Sequence, residues 1–404
     1  MATMERVVDS VAVSGSEPSA AGPLLCIVGA RPNYMKMAPL LRAFSADERL
    51  PRAVLVHTGQ HYDFALNDRL FADLELPAPE VNLEVGSASH AVQTAEVMKR
   101  FEPVLLRYAP SCVIVVGDVN STLACTLVAV KLHVPVVHVE AGLRSFDRTM
   151  PEEINRLATD QIADLLYTTE RSAHVNLERE GIAPERVHFV GNLMIDSLHV
   201  ALKRAVPPHV TLAGTRVAAE AVAKAPGFGV VTMHRPANVD EPRNLADLLD
   251  VLRRVSQRLP LVWPVHPRTQ ANIERLGLAD RIADAPIFCL PPQGYLEMVG
   301  LLSQARLVLT DSGGIQEETT SLGVPCLTMR PNTERPITVE QGTNTLVPRD
   351  AGVVLRLVDE ILATGGKRGR VPEYWDGQAA RRIANHLAGW LADRRSPTAT
   401  KVRT

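Results

Sequence analysis

Two stretches of the chain follow one plan. "VIVVGDVNSTLACTLVAVKLHVPVVHV" (Val113–Val139) and "LVLTDSGGIQEETTSLGVPCLTM" (Leu307–Met329) each run apolar strand, Gly/Asp/Ser turn, helix, Val-Pro, second apolar strand. Strands this continuously Val/Ile/Leu-rich have no polar face to turn toward water. They imply a parallel sheet covered by helices on both sides. Other strand-like and helix-like runs surround each copy: "LLCIVG", "MKMAPLLRAF" and "AVLVHTG" in the first half, "GVVTMH", "NLADLLDVLRRVSQRL", "LVWPVH", "IFCL" and "YLEMVGLLSQA" in the second. Between the halves, "KRAVPPHVTLAGTRVAAEAVAKAPGFG" is edged by Pro and Gly and marks a change of domain.

The expected architecture is therefore α/β, with two Rossmann-like domains facing each other across a cleft. Residues 23–198 form the first domain and 199–375 the second, with an amphipathic helix at 376–396 crossing back onto the first. Residues 1–22 read as a flexible tail, since "MATMERVVDSVAVSGSEPSAAGP" lacks the basic start and apolar centre of a secretory signal. A length of 404 residues suits two domains, and a formal net charge of -2 leaves no basic footprint for nucleic acid. No apolar run is long enough to span a bilayer. Cys26, Cys112, Cys125, Cys289 and Cys326 are scattered, mostly in apolar runs, which points to the reducing cytoplasm.

Ligands of such sheets bind outside the carboxyl ends of the strands, and the chemistry-bearing residues lie there. In "TDSGGIQEE", Ser312-Gly313-Gly314 open a helix. Glycines admit an anion close to the backbone, and a helix N-terminus offers unpaired N–H groups. Glu317 and Glu318, one turn on, would repel a phosphate but suit ribose hydroxyls. In "VGARPNYMK", Arg31 and Lys36 flank a helix start that Asn33 would cap. "TMHRPANVD" puts His234 and Arg235 directly after a strand. Taken singly, each has a plain structural reading as a cap or a solvated charge. Three cationic strand ends beside one glycine cradle favour a diphosphate.

Acids line the other side. Asp118 and Glu140 end successive strands, and Glu152 and Glu153 begin a helix after Pro151. Asp118 also suits a helix cap, and Glu152 and Glu153 suit the helix dipole. Carboxylates gathered at one cleft would raise one another's pKa and so supply an acid and a base near neutrality. "HTGQHYD" adds Gln60, His61 and Asp63 nearby. No histidine pair has zinc-ligand spacing, so no metal is expected. The residues alone reach a two-domain enzyme for a nucleoside diphosphate compound, with carboxylates on one wall; they do not name the reaction.

These residues resemble the non-hydrolysing UDP-N-acetylglucosamine 2-epimerases, from about Leu24 to about Val347. "GARPNYMKMAPL", "TGQHYD", "GDVNSTLA", "HVEAGLRS", "MPEEINR", "GNLMIDSL", "HRP", "PVHPRT", "LTDSGGIQEE", "SLGVPCLTMR" and "TERPITVEQGTN" occur in that family's order. The resemblance implies a GT-B-like fold, a homodimer, no cofactor, and interconversion of UDP-GlcNAc and UDP-ManNAc through loss of UDP to a bound glycal. It implies that Arg31, Lys36, His234 and Ser312-Gly313-Gly314 contact the diphosphate. Glu318 would hold the ribose, with Arg335 near the nucleotide. Asp118, Glu140 and Glu152 would transfer protons, and His234 would stabilise or protonate the departing UDP.

Two departures stand out. Many members carry an acid where this chain has Asn33. Bacterial members are often activated by UDP-GlcNAc in a second pocket; Gln60, Arg235 and His266 match parts of it, but Val92 stands where arginine is expected. The rival functions are a hydrolysing epimerase that releases UDP and ManNAc, a GT-B glycosyltransferase using a UDP-sugar, and a non-catalytic UDP-sugar sensor.

Overall fold

The computed structural model describes residues 22–59, 64–213 and 227–395. Its strands form two sheets whose pairings are all parallel. The first contains β1 (Leu24–Val28), β2 (Ala53–His57), β3 (Val81–Asn82), β4 (Cys112–Val116), β5 (Val136–Ala141), β6 (Leu165–Thr168) and β7 (Val187–Phe189). The second contains β8 (Gly229–Thr232), β9 (Leu261–Pro264), β10 (Ile287–Leu290), β11 (Leu307–Thr310), β12 (Cys326–Thr328) and β13 (Asn344–Leu346). Their orders are β3-β2-β1-β4-β5-β6-β7 and β10-β9-β8-β11-β12-β13.

Both sheets thus reverse direction at the same place, between β1 and β4 and between β8 and β11. That switch point is where an open α/β sheet leaves a crevice for ligand. The two repeated stretches of sequence are β4–helix–β5 and β11–helix–β12, so they fill equivalent slots. Every residue of β1, β4, β5 and β11 is buried, as their unbroken apolar runs require. The short β6 carries no separate turn signal in the sequence and follows its helix with only Ala163 and Asp164 between them.

The halves are not packed independently. Tyr295, Val299 and Ile337 of the second half share a core with Tyr34, Leu40, Leu193 and Leu198 of the first. The helix Leu193–Leu202 packs against Arg31–Ser45 on one side and against Tyr295–Gln304 and Gly313–Leu322 on the other. The expected division at 198/199 falls inside this helix, whose sequence "LMIDSLHVAL" has no breaker. The crossing helix is Ala379–Arg395 and packs on Arg31–Ser45. Asp196 holds its start by accepting from the Ala379 and Ala380 N–H groups at 3.1 and 2.8 Å, where a carboxylate also complements the helix dipole.

The expected tail lies outside the described residues except for Gly22, and so do Gln60, His61 and Asp63. Among the described residues no helix is long and apolar enough to cross a membrane. All five cysteines are free, with only Cys289 exposed.

Candidate active site

The carboxyl ends of both sheets face one another, and buried charge joins them. Glu140, one residue before the end of β5, has a left-handed φ of 70° beside a register shift between Val139 and Ala141. A non-glycine residue there is strained, and a bulge of this kind ends pairing and re-aims a side chain. Glu140 Oε2 pairs with Lys36 Nζ, and Oε1 accepts from Arg335 Nη2 at 2.5 Å. Arg335 belongs to the second half, so this ion pair spans the cleft. Its Nε lies 2.9 Å from Glu317 Oε1, which also accepts from Asn192 Nδ2 of the first half at 2.8 Å.

Asp118 follows β4 and takes Arg156 on Oδ2 through Nε at 2.9 Å and Nη2 at 2.6 Å. The preceding Gly117 has a φ of 68°, and a Cβ there would stand 3.1 Å from Lys36 Nζ. The left-handed φ favours glycine there, and a Cβ would fit only tightly against the tip of Lys36. Arg156 Nη1 binds Glu153 Oε2 at 2.6 Å, and Glu153 also accepts from the Ser145 and Phe146 N–H groups at 2.9 Å each. Glu153 is thus a buried anchor of the loop between β5 and its helix, rather than a solvated charge. Glu152 stands in the first turn of the helix Pro151–Ile162 and, among the described residues, makes no ion pair.

The expectation that the clustered acids raise one another is corrected at Glu140. Burial would raise its carboxyl, but Lys36 and Arg335 outweigh burial and hold it below the usual range. The raised acids are others. Burial pushes up Glu317, with Arg335 opposing and Glu140 adding. Burial also lifts Glu318 to about 7, despite the Tyr295 hydroxyl beside it. Glu170, at the end of β6, is 1% exposed and is lifted to about 7 by burial. One of its oxygens accepts from Ser172 Oγ, while Oε2 is buried with no hydrogen-bond partner. It escapes sequence reasoning because β6 itself does.

Across the cleft, Asp311 follows β11 and is fully buried. It accepts from the His234 and Arg235 N–H groups at 3.1 and 2.9 Å and from Asn238 Nδ2 at 3.0 Å, which fixes the turn after β8. His234 Nδ1 lies 3.3 Å from Asp311 Oδ1, and its ring stacks on His266 with centroids 5.4 Å apart. His266 caps the helix Pro267–Arg275 by accepting from the Arg268 N–H at 3.2 Å. Burial pushes the His234 imidazole below its ordinary range, with Asp311 opposing and Arg235 and Arg31 adding. Arg31 is exposed and comes from the first half, so its charge reaches both histidines over the cleft.

Ser312 precedes the helix Gly313–Leu322 and its side chain forms no cap. A Cβ on Gly313 would meet only Glu334 Oε1 at 3.8 Å, and one on Gly314 only Met194 Cε at 3.5 Å. Neither backbone conformation nor packing requires glycine there; what the two glycines provide is open space over the helix N–H groups. Nearby cations are incompletely used. Arg235 Nε and Arg330 Nη1 are buried without a hydrogen-bond partner, although Glu334 pairs with Arg330 at 2.9 Å and with Arg235 at 3.4 Å. Orphaned guanidinium donors beside an uncapped helix start suit an anion. Glu318 lies on the same helix and is buried.

Asn33 is not the N-cap. It sits at the third helical position, where Oδ1 accepts from the Gly29 and Ala30 N–H groups at 3.0 and 3.1 Å. Its Nδ2 donates to the Val116 carbonyl at 2.9 Å, tying the end of β1 to β4. An acid could not donate that last bond. Val92 is 54% exposed on the helix His90–Tyr108.

Two Rossmann-ordered parallel sheets with anion-ready turns and acids facing across a cleft define a GT-B-like α/β protein. The family model described as UDP-N-acetylglucosamine 2-epimerase matches residues 43–388, and the chain belongs to that family. It is 40% identical over 338 residues to a UDP-N-acetylglucosamine 2-epimerase homolog of Methanococcus maripaludis, covering 83% of this chain and 92% of that one. It is 39% identical over 369 residues to the UDP-2,3-diacetamido-2,3-dideoxy-D-glucuronate 2-epimerase of Pseudomonas aeruginosa, covering 90% and 99%. Among solved structures, the UDP-GlcNAc 2-epimerase of Methanocaldococcus jannaschii in complex with UDP-GlcNAc and UDP superposes with a TM-score of 0.79 at 37% identity, covering 91% of this chain and 99% of that one.

Proposed function

We propose that this chain interconverts UDP-GlcNAc and UDP-ManNAc without net hydrolysis. The C2 hydrogen of the sugar has no adjacent carbonyl to acidify it, so direct deprotonation is unfavourable. Elimination avoids the problem: a base takes the C2 proton as the C1–O bond to UDP breaks, leaving a glycal and UDP. Return of a proton to the opposite face of C2, with re-addition of UDP at C1, gives the epimer. Family membership supports the reading, and one observation carries it: the buried Lys36–Glu140–Arg335 bridge lies at the same cleft as the open glycine turn.

In this scheme the diphosphate sits at Ser312-Gly313-Gly314 with Arg31, Lys36 and His234, the nucleotide lies near Arg335, and Glu318 serves the ribose. Lys36 and Arg335 neutralise Glu140. An arriving diphosphate competes for both cations, and losing them makes Glu140 more basic. The same diphosphate favours a protonated His234, which then donates to the departing oxygen. Asp118 and Glu152 complete the proton path.

We assign two domains, 23–198 and 199–375 as expected but with their division moved to the end of the helix Leu193–Leu202, a homodimeric state and a cytoplasmic location. Leu106 and Phe146, 65% and 75% exposed, offer apolar surface that a dimer contact would cover. Activation by UDP-GlcNAc through Gln60, Arg235 and His266 predicts non-hyperbolic reverse kinetics that added UDP-GlcNAc corrects; hyperbolic kinetics unchanged by it remove that role.

Incubation with UDP-GlcNAc in deuterated water, followed at C2 by NMR, tests the reaction. Deuterium at C2 of both UDP-sugars is expected; free ManNAc means hydrolysis, and no exchange removes the epimerase reading. The Pseudomonas aeruginosa relative favours a second substrate, UDP-2,3-diacetamido-2,3-dideoxy-D-glucuronate, and the same assay run with that sugar decides between them.

A further inference from the structure

His138 lies in β5, two residues before Glu140, and is fully buried. Both ring nitrogens are engaged. Nδ1 lies 2.6 Å from Asp160 Oδ1, and Nε2 lies 2.8 Å from the carbonyl oxygen of Gly117, the residue before Asp118. A carbonyl only accepts, so Nε2 carries a proton. Asp160 is an anion: its Oδ2 accepts from the Gly142 N–H at 3.0 Å and pairs with Arg144 at 2.7 Å. An ionised carboxylate also only accepts, so Nδ1 carries a proton too.

We propose that His138 is a buried imidazolium that, with Asp160, positions the two acid-bearing strand ends as one unit. It is a positioning residue, and it rests on the epimerase reading for the reaction it serves. The ring holds the backbone one residue before Asp118, and Asp160 holds the backbone two residues after Glu140. The flanking backbone needs such a hold. Gly117, Glu140 and Gly142 all have left-handed φ values, of 68°, 70° and 79°, and a non-glycine residue persists there only where its surroundings over-determine it. Among the described residues, the charges that meet the ring are Asp160, from the helix Pro151–Ile162, and behind it Arg144, from the loop after β5, which pairs in turn with Glu180 at 2.7 Å. A neutral ring would drop one of the two holds, because one nitrogen would face an acceptor without a proton.

The test begins with the wild-type chain, selectively 15N-labelled at histidine, with the His138 signals assigned by their loss in H138Q. At pH 7.5 both His138 ring nitrogens are expected to carry protons; a neutral ring overturns the proposal whether or not the chain is an epimerase. In the C2-exchange assay, H138Q and D160N are each expected to lower kcat by about 10–100-fold, as loss of an orienting partner does elsewhere, while KM and UDP affinity stay near wild type. Wild-type kcat in H138Q, or a parallel loss of UDP binding, overturns it. If neither variant folds, the wild-type ring signals are assigned by backbone-to-ring correlation instead and still decide. Absence of exchange in the wild type counts against the epimerase reading alone.

Discussion

Asp118 and Asp311 occupy the same slot, each just after the central strand that flanks the switch point of its sheet, yet they are spent differently. Asp311 is fully buried, and its oxygens are taken by the N–H groups of His234 and Arg235 and by Asn238. It builds a turn. Asp118 keeps 24% of its side chain exposed and meets an arginine side chain instead of backbone. It is left where a ligand can reach it. Topology therefore selects the place, while the choice of partner, backbone amide or side-chain cation, decides whether a carboxylate is structural or available. The same contrast separates the halves: the first gathers acids held by cations, and the second offers an open helix start with unused guanidinium donors.

The sharpest way to break this division is at Glu140. E140Q is expected to slow C2 exchange by about 10²–10⁴-fold, the range for loss of a general acid or base, with UDP affinity retained by isothermal titration. The next effect lies in the other half. G313A meets no packing obstacle, so its melting temperature should hold, but the added methyl intrudes on the anion space. UDP affinity is expected to fall about tenfold, or about 1.4 kcal/mol.

A third pair compares the two aspartates directly. D311N should lose about 1–3 kcal/mol of stability in denaturant titration, because buried N–H groups lose an ionised acceptor. D118N should lose little stability and most of the exchange activity. Equal destabilisation would erase the distinction.

An effect on stability alone, with none on exchange, is expected at Glu170. Its folded-state pKa of about 7 lies above the value of 4.5 expected when unfolded. The native state therefore binds more protons than the unfolded one between those values, and stability falls as pH rises through that window. Replacing the acid by its amide removes this penalty. E170Q should raise the melting temperature at pH 8 by an amount worth about 3 kcal/mol and change it little at pH 4.5, as scanning calorimetry can check.

Much of this was legible in the sequence, for a physical reason. Buried parallel strands write themselves as apolar runs, and ligand turns must follow them, so Asp118, Glu140, His234 and the Gly313-Gly314 turn could be placed at strand ends from spacing alone. Pairing was not legible. Nothing in "HVEAGLRSFDRTMPEEINR" says that Glu153, rather than Glu152, is the loop's anchor. Nor does it say that Arg144 turns to Asp160 and Glu180 while Arg156 turns to Asp118. Those choices depend on which helix face meets which strand end. The sign of the Glu140 shift was illegible for the same reason, since Arg335 reaches it from 195 residues away.

The division of work between the halves is tested most directly by the rate of C2 deuterium exchange at saturating UDP-GlcNAc, compared between G313A and E140Q. The account predicts that saturation restores G313A to near the wild-type rate, because its defect is in holding UDP, while E140Q stays slow at any concentration. If G313A remains as slow as E140Q at saturation, the cradle and the acid are one catalytic unit and the division is wrong.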